Sequence, residues 1–177
     1  MKDALAIHRW LLAHQIHHEI VRLPRPLTCA DDLPEILGLL PRRCVSVTVF
    51  DDGRILTAVL TFAKETPNTD AVAAVLGSRH LRPASPLRIN LGTEYAADLV
   101  SPVLLPQAMN LLVDQRLFAA AAGAEHPVYA ATGERRTALK IMAADLFGLI
   151  GARPVDLGGR VRIPVPRTHG SITRSKV

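Results

Sequence analysis

The chain is poor in aromatic residues: Phe, Trp and Tyr together make up 4% of its 177 positions. Aliphatic packing must therefore supply most of the core. Cysteine is scarce too, with only Cys29 and Cys44. They can bridge only if the fold brings them together, and with nothing pointing to export, two buried or free thiols in a reducing cytoplasm is the expected state. No run approaches the roughly 18–20 uninterrupted apolar residues of a membrane span, so no membrane partner is expected. The first fifteen residues carry an acid and histidines through their apolar segment and lack a small-residue cleavage site. They read as an amphipathic helix and not as a secretory leader. There is no G-x-S-x-G elbow, no phosphate-binding glycine loop, no HExxH, no internal repeat and no heptad run. Residues 158–177 lack acids altogether but hold Arg160, Arg162, Arg167, Arg174 and Lys176. Taking these five from the 21 Lys and Arg leaves 16 basic against 16 acidic residues, so residues 1–157 are neutral and the tail holds the whole excess. Two readings of the tail stand: an arm that holds phosphates at low salt, or a solvated terminus.

What is present is the composition of one globular domain, residues 1–157, followed by a basic tail, 158–177. Apolar residues make up 49% and charged residues 21%, which is globular and not disordered. Residues 2–13 place apolar side chains at helical spacing, and residues 16–23 alternate as a strand. Asp32 is placed to cap a short helix over 33–39, with Pro34 near its start. Residues 43–50 are rich in β-branched side chains, and Asp52-Gly53 is a strong hairpin turn before residues 55–62. Thr69 or Asp70 is expected to cap a helix ending at Gly77. Further on, 109–113 reads as a strand ending at Asp114, 116–122 as a helix closed by Gly123, 128–131 and 137–142 as strands, and 145–150 as a helix. Strands and helices alternate irregularly around an antiparallel hairpin, which argues for an α+β fold with a mixed or curled sheet and against a doubly wound one.

The chain is organised around residues 84–106. Ser85 and Pro86 open a helix as N-cap and first helical residue. The stretch then passes Gly92-Thr93 and closes on Ser101-Pro102, where the residue before proline is pushed out of helical conformation. A helix delivered into a constrained, hydroxyl-bearing loop can present backbone N–H groups and Ser101 to a ligand, and it can equally be an ordinary connection. His8, His14, His17 and His18 cluster early but straddle a helix and both faces of a strand, so no metal is expected there. Cys44 follows Arg42 and Arg43, which would lower its thiol pKa if it were exposed; a buried structural cysteine is the plainer reading. Thr132-Gly133-Glu134-Arg135-Arg136 is a polar turn after a strand, suited to a phosphate or carboxylate or simply to solvent.

The order of these motifs over residues 5–157 resembles the YbaK/prolyl-tRNA-synthetase-associated family of aminoacyl-tRNA editing domains. Ala84-Ser85-Pro86 matches the family's Ala-x-Pro. Thr93-Glu94-Tyr95 stands at its Thr-Gly-Tyr, and residues 98–104, DLVSPVL, at its Gly-Gly-x-Ser-Pro-x-Gly. The Ser-Pro pair, Thr93 and Tyr95 are kept, and the motif glycines are replaced. Asp114, Tyr129 to Gly133 and Asp145-Leu146 match later elements. Aligning residues 38–41 puts Ser46 where the family carries a lysine, and serine brings a hydroxyl without the charge. Asp98 stands where the family's first glycine would admit a backbone, and it would repel a phosphate.

The resemblance implies a curled, barrel-like mixed sheet with helices packed around it. It also implies hydrolysis, in the cytoplasm, of the ester joining a wrong amino acid to tRNA, with no metal or organic cofactor. The partners implied are the 3′ aminoacyl end of a mischarged tRNA and an aminoacyl-tRNA synthetase. Ser46 and Ser101 are the catalytic candidates. Thr93, Tyr95, Asp98, Pro102, Thr132 and Gly133 are candidates for holding substrate, with Arg42 and Arg43 reaching toward the lysine's place. On this reading Ser101→Ala abolishes activity. The alternative is a catalytically degenerate relative that binds tRNA, a nucleotide or a protein through the same cleft.

Overall fold

In the computed structural model, residues 1–121, 126–151 and 153–157 are described; the expected helix end at Gly123 and the basic tail lie outside them. The helices are α1 (Ala4–Ala13), α2 (Leu33–Leu37), α3 (Thr69–Leu76), α4 (Pro86–Thr93), α5 (Gln115–Ala121) and α6 (Ala143–Ile150). The strands are β1 (His18–Arg22), β2 (Cys44–Asp51), β3 (Leu56–Phe62), β4 (Arg82–Pro83), β5 (Asn110–Asp114), β6 (Pro127–Ala131), β7 (Thr137–Met142) and β8 (Arg153–Val155). All eight strands form one mixed sheet in the order β1-β7-β6-β2-β3-β5-β8, with β4 added to β2. The sheet is not closed, since β1 and β8 end the order. The fold is α+β, as the mixed order of elements implied.

Local chemistry explains most of the boundaries. Asp3 caps α1 by accepting from Ala6 N–H at 2.7 Å. The β2–β3 hairpin turns where Asp51 Oδ1 accepts from Gly53 N–H and Asp52 Oδ1 from Arg54 and Ile55 N–H, each at 2.8 Å. Ser85 caps α4 through Arg88 N–H, with Pro86 at the first helical position. Two expected caps are corrected. Asn68, not Thr69 or Asp70, caps α3, accepting from Asp70 and Ala71 N–H. Asp32 precedes α2, but its carboxylate turns back onto the Thr28 and Cys29 N–H groups (2.7 and 3.2 Å) and caps no residue of that helix. Those hydrogen bonds hold its pKa below the usual carboxylate range.

The sheet is covered on both faces, and strand alternation divides the core. Val45 and Val49 of β2, Leu60 of β3 and Val113 of β5 pack with Ile7 and Leu11 of α1, Ile89 of α4, and Leu146 and Phe147 of α6. Phe50, Val59 and Leu112 face the other way and pack with Val72 of α3. Cys44, Leu33 and Ala138 belong to a third cluster beside α2. Phe118 stacks on Phe147 at 4.8 Å between ring centres, so one of the few aromatic contacts fastens α5 to α6.

Candidate functional site

Strand β2 is long enough to outrun its neighbours. On the side away from β3, β6 covers Cys44 and Val45, and β4 covers Phe50 and Asp51. The four residues between have no strand on that side. Among the described residues, only the Val49 carbonyl is taken there, by Ala84 N–H at 2.9 Å. Backbone groups alternate in direction along a strand, and Val49 sets the phase. The Val47 N–H and C=O and the Val49 N–H therefore point to the uncovered edge.

A cavity of about 190 Å³ sits at this gap, lined by Ser46 to Val49, Cys29, Ala30, Asp31, Ile89, Ala97 and Asp98. Ser46 is 8% exposed, and its hydroxyl has no hydrogen-bond partner among the described residues. Thr48 lies two residues on, along the same face of β2. Asp31 accepts from Lys64 N–H at 2.9 Å, and Asp98 is exposed at the rim. The lining holds two carboxylates and no cation. Cys29 is a free thiol whose pKa is raised, chiefly by burial.

Of the residues singled out from the sequence, Ser46 and Asp98 come together here and the others do not. Arg42 and Arg43 do not line the cavity. Arg42 is exposed, and Arg43 donates from Nε to the Pro127 carbonyl at 3.1 Å, so neither stands in the place of the family lysine. Burial pushes the Cys44 thiol up to about 12, outweighing the nearby Arg43, and the thiol is inert. Thr93 donates to the Ile89 carbonyl (2.7 Å) and accepts from Tyr95 N–H (3.1 Å). Tyr95, fully buried, donates to the Val103 carbonyl at 2.8 Å. Thr132 is buried with its hydroxyl 2.6 Å from that of Thr137. Gly133 has φ +88°, and a Cβ there would lie 2.6 Å from the Lys2 carbonyl and 2.8 Å from the Tyr95 ring. Ser101 is fully buried and its Oγ meets no partner. It stands close enough to the Tyr95 phenol to oppose the rise in pKa that burial causes there, but outside hydrogen-bond geometry. Pro102 lines a second, larger cavity of about 840 Å³ with Lys2, Trp10, Leu104 and Met109.

Lys2 joins these parts. Its N–H donates to the Glu94 carbonyl and its ammonium to the Thr93 carbonyl (2.8 and 3.0 Å), closing the C-terminus of α4. The ammonium also meets Glu94 Oε2 at 3.2 Å and lies 5.6 Å from the centre of the Tyr95 ring. Glu94 (φ +63°) and Leu104 (φ +56°) both adopt the left-handed conformation. They stand where the editing motif carries glycines, and both hold the conformation that glycine adopts most readily. Asp114 is likewise internal: it pairs with Arg116 at 2.7 Å, and Arg116 reaches Glu65 at 2.6 Å.

His8 Nδ1 and His18 Nε2 lie 2.8 Å apart. Among the described residues no three His, Cys, Asp or Glu side chains converge as a metal site would require, and no helix is long and apolar enough to cross a membrane. The contributions of Cys29, Ala30, Asp31, Ile89 and Ala97 were missed from the sequence. Thr48 alone had a usable signal, its two-residue offset from Ser46.

A profile of the aminoacyl-tRNA editing domain matches residues 25–149. The chain belongs to that family. Among solved structures it is similar to the hypothetical protein APE2540, at 21% identity over 85% of this chain and 97% of that one, with a TM-score of 0.74. A structure described as a candidate trans-editing enzyme for prolyl tRNA synthetase is 23% identical over 85% of this chain and 93% of its own, with a TM-score of 0.72. Likeness at these identities shows the YbaK-like fold. No curated protein matches the chain.

Proposed function

We propose that this editing-domain protein is a trans-acting, cytoplasmic deacylase that hydrolyses the ester of a mischarged aminoacyl-tRNA, with the aminoacyl group seated in the β2-edge cavity. The observation that carries this is the uncovered edge of β2. Two backbone N–H groups and one carbonyl face a small cavity that is also lined by the Ser46 hydroxyl, which no group among the described residues pairs and which solvent in the cavity can reach. Such donors suit an ester carbonyl whose oxygen gains charge as water attacks. At about 190 Å³ the cavity is below the roughly 300–1,000 Å³ of ordinary ligand pockets, so it takes one aminoacyl group and leaves the nucleotide outside. The Val47 and Val49 N–H groups would bind the carbonyl oxygen, and the Ser46 and Thr48 hydroxyls would orient the water. The new bond joins water oxygen to the carbonyl carbon, the bond from that carbon to ribose oxygen breaks, and the proton from water ends on the ribose hydroxyl. An aminoacyl-tRNA synthetase that makes the error is the natural second partner.

A second reading is favoured by one observation, the absence of any cation in the lining where the family has a lysine. On it the chain binds an aminoacyl or nucleotide end without hydrolysing it. Deacylation of a panel of mischarged tRNAs separates the two. We expect turnover by the native chain, and a loss of about 10²-fold in Ser46→Val at unchanged thermal stability. Silence from the native chain with activity in Ser46→Lys would mean a binding pocket that has lost its chemistry. Silence from both would sink the deacylase reading.

A further inference from the structure

A cavity that holds only the aminoacyl group requires somewhere else for the phosphodiester chain attached to it. The two carboxylates of the lining, Asp31 and Asp98, exclude the cavity mouth itself on charge. The opposite rim has the reverse character. Residues 71–93 form the longest acid-free run of residues 1–157 and contain Arg79, His80, Arg82 and Arg88. The fold brings this run to the cavity directly: Arg82 of β4 lies opposite Asp51 of β2 in the sheet, Ala84 N–H closes the gap on Val49, and Ile89 of α4 is part of the cavity wall.

Arg54, in the β2–β3 turn, and Arg79, Arg82 and Arg88 are all exposed. Arg88 is held to the buried Asp51 through Nε at 3.1 Å, and its side chain remains 48% exposed. Among the described residues the Arg79 and Arg82 guanidinium groups form no hydrogen bond or salt bridge, although the Arg82 charge lies near enough to Asp51 to help lower its carboxyl pKa. Next to them α4 exposes Leu87 and Leu91, 67% and 72% accessible and one helical turn apart. Together the site runs from an acidic cavity to a basic rim with an apolar footing. An aminoacylated RNA end has the complementary order, an ammonium at the tip and phosphates and bases behind it.

We propose that the β4–α4 corner, with the exposed Arg79 and Arg82 at its centre and Arg88 and Arg54 beside them, is the binding surface for the single-stranded 3′ end of an RNA. The proposal rests on the deacylase reading for its choice of RNA, but its test does not need hydrolysis. Binding of a fluorescein-labelled RNA hairpin with an uncharged, single-stranded CCA end is followed by anisotropy from 25 to 200 mM salt. Arg79→Ala/Arg82→Ala should weaken binding at least about 10-fold and flatten the salt dependence by about 1.4 in the log–log slope, two phosphates at about 0.7 each. Arg79→Lys/Arg82→Lys should restore most of both. Arg9→Ala/Arg22→Ala, which removes the same charge from α1 and β1, should change neither. Unchanged binding in the corner variant, an equal loss in the α1/β1 control, or no RNA binding by the native chain at low salt would each overturn the proposal. Its failure is separable from that of the deacylase reading. A chain that binds RNA through the corner yet hydrolyses no mischarged tRNA keeps the surface and loses the enzyme. A chain that hydrolyses them equally well in the corner variant keeps the enzyme and loses the surface.

Discussion

Two regions of the molecule draw on the same motif-bearing stretch and treat polar groups in opposite ways. Around Tyr95, the hydroxyls of Thr93 and Tyr95, the α4 carbonyls and the Lys2 ammonium are matched to one another inside the protein. At the β2 edge, the Ser46 hydroxyl and three backbone groups are left facing a cavity. A polar group that the protein leaves unpaired must be met by water or by a ligand, because burying one unmet costs about 1–3 kcal/mol. The first region behaves as structure and the second as a place for a ligand. Matching a residue to a motif does not separate these roles. Hydrogen-bond accounting does.

The sharpest way to break the comparison is at Gly133. An alanine there must hold φ near +88° and place its Cβ against the Lys2 backbone and the Tyr95 ring at once. We expect Gly133→Ala to destabilise the fold by about 2–4 kcal/mol, from backbone strain and overpacking together, read as a drop in denaturation midpoint. Its residual activity per folded molecule should match that of the native chain. A variant of native stability with lost turnover would move Gly133 from the structural region to the site.

How much of this was legible in the sequence depended on whether the signal was local. The hairpin at Asp52-Gly53 and the start of α4 at Ser85-Pro86 rest on side chains that act within three residues of themselves, and both appear as read. The cap of α3 was misassigned because Asn68, Thr69 and Asp70 all have capping chemistry, whereas Asp32 stands at the N-cap position of α2 as read and turns its carboxylate back onto the preceding loop instead. Strands β4 and β8 are two and three residues long, too short to show alternation, and exist because neighbours offer them an edge. The cavity was half legible. Ser46 and Asp98 emerged from comparing motif positions, whereas Cys29, Ala30 and Asp31 reach it across a long loop that leaves no periodic trace. At the replaced motif glycines, Glu94 and Leu104 hold positive φ, and Lys2 fixes Glu94 through its carbonyl and its carboxylate.

A smaller effect is expected at the rim between the two regions, where Asp51 ties α4 to the end of β2. The Arg88 guanidinium, then the Gly53 N–H, hold the Asp51 carboxyl below its ordinary value of 3.8. A carboxyl whose folded-state pKa is depressed stabilises the fold fully above the unfolded value and loses that contribution as pH falls through the folded one. Arg88 is half exposed, so solvent screening limits the contribution to about 0.5–1 kcal/mol. Asp51→Asn should therefore be less stable than the native chain at pH 7, with the gap closing below about pH 4. A gap that persisted to pH 2 would show that Asp51 acts through shape and not charge.

The smallest effect tests the comparison where it is weakest, at Ser101. This residue sits in the structural region, yet its hydroxyl is buried and without a hydrogen-bond partner. The motif match makes it a candidate for chemistry, and Ser101→Ala would then abolish turnover. The geometry favours the other outcome, because Ser101 lines neither cavity and is completely shielded from solvent. Removing an unsatisfied buried hydroxyl should relieve its desolvation cost and leave only a small void. We expect Ser101→Ala to be neutral or more stable by up to about 1 kcal/mol, with turnover within twofold of native. A stable variant with no turnover would mean that the loop opens to present Ser101 to the substrate, and the division between the two regions would hold only for the closed form.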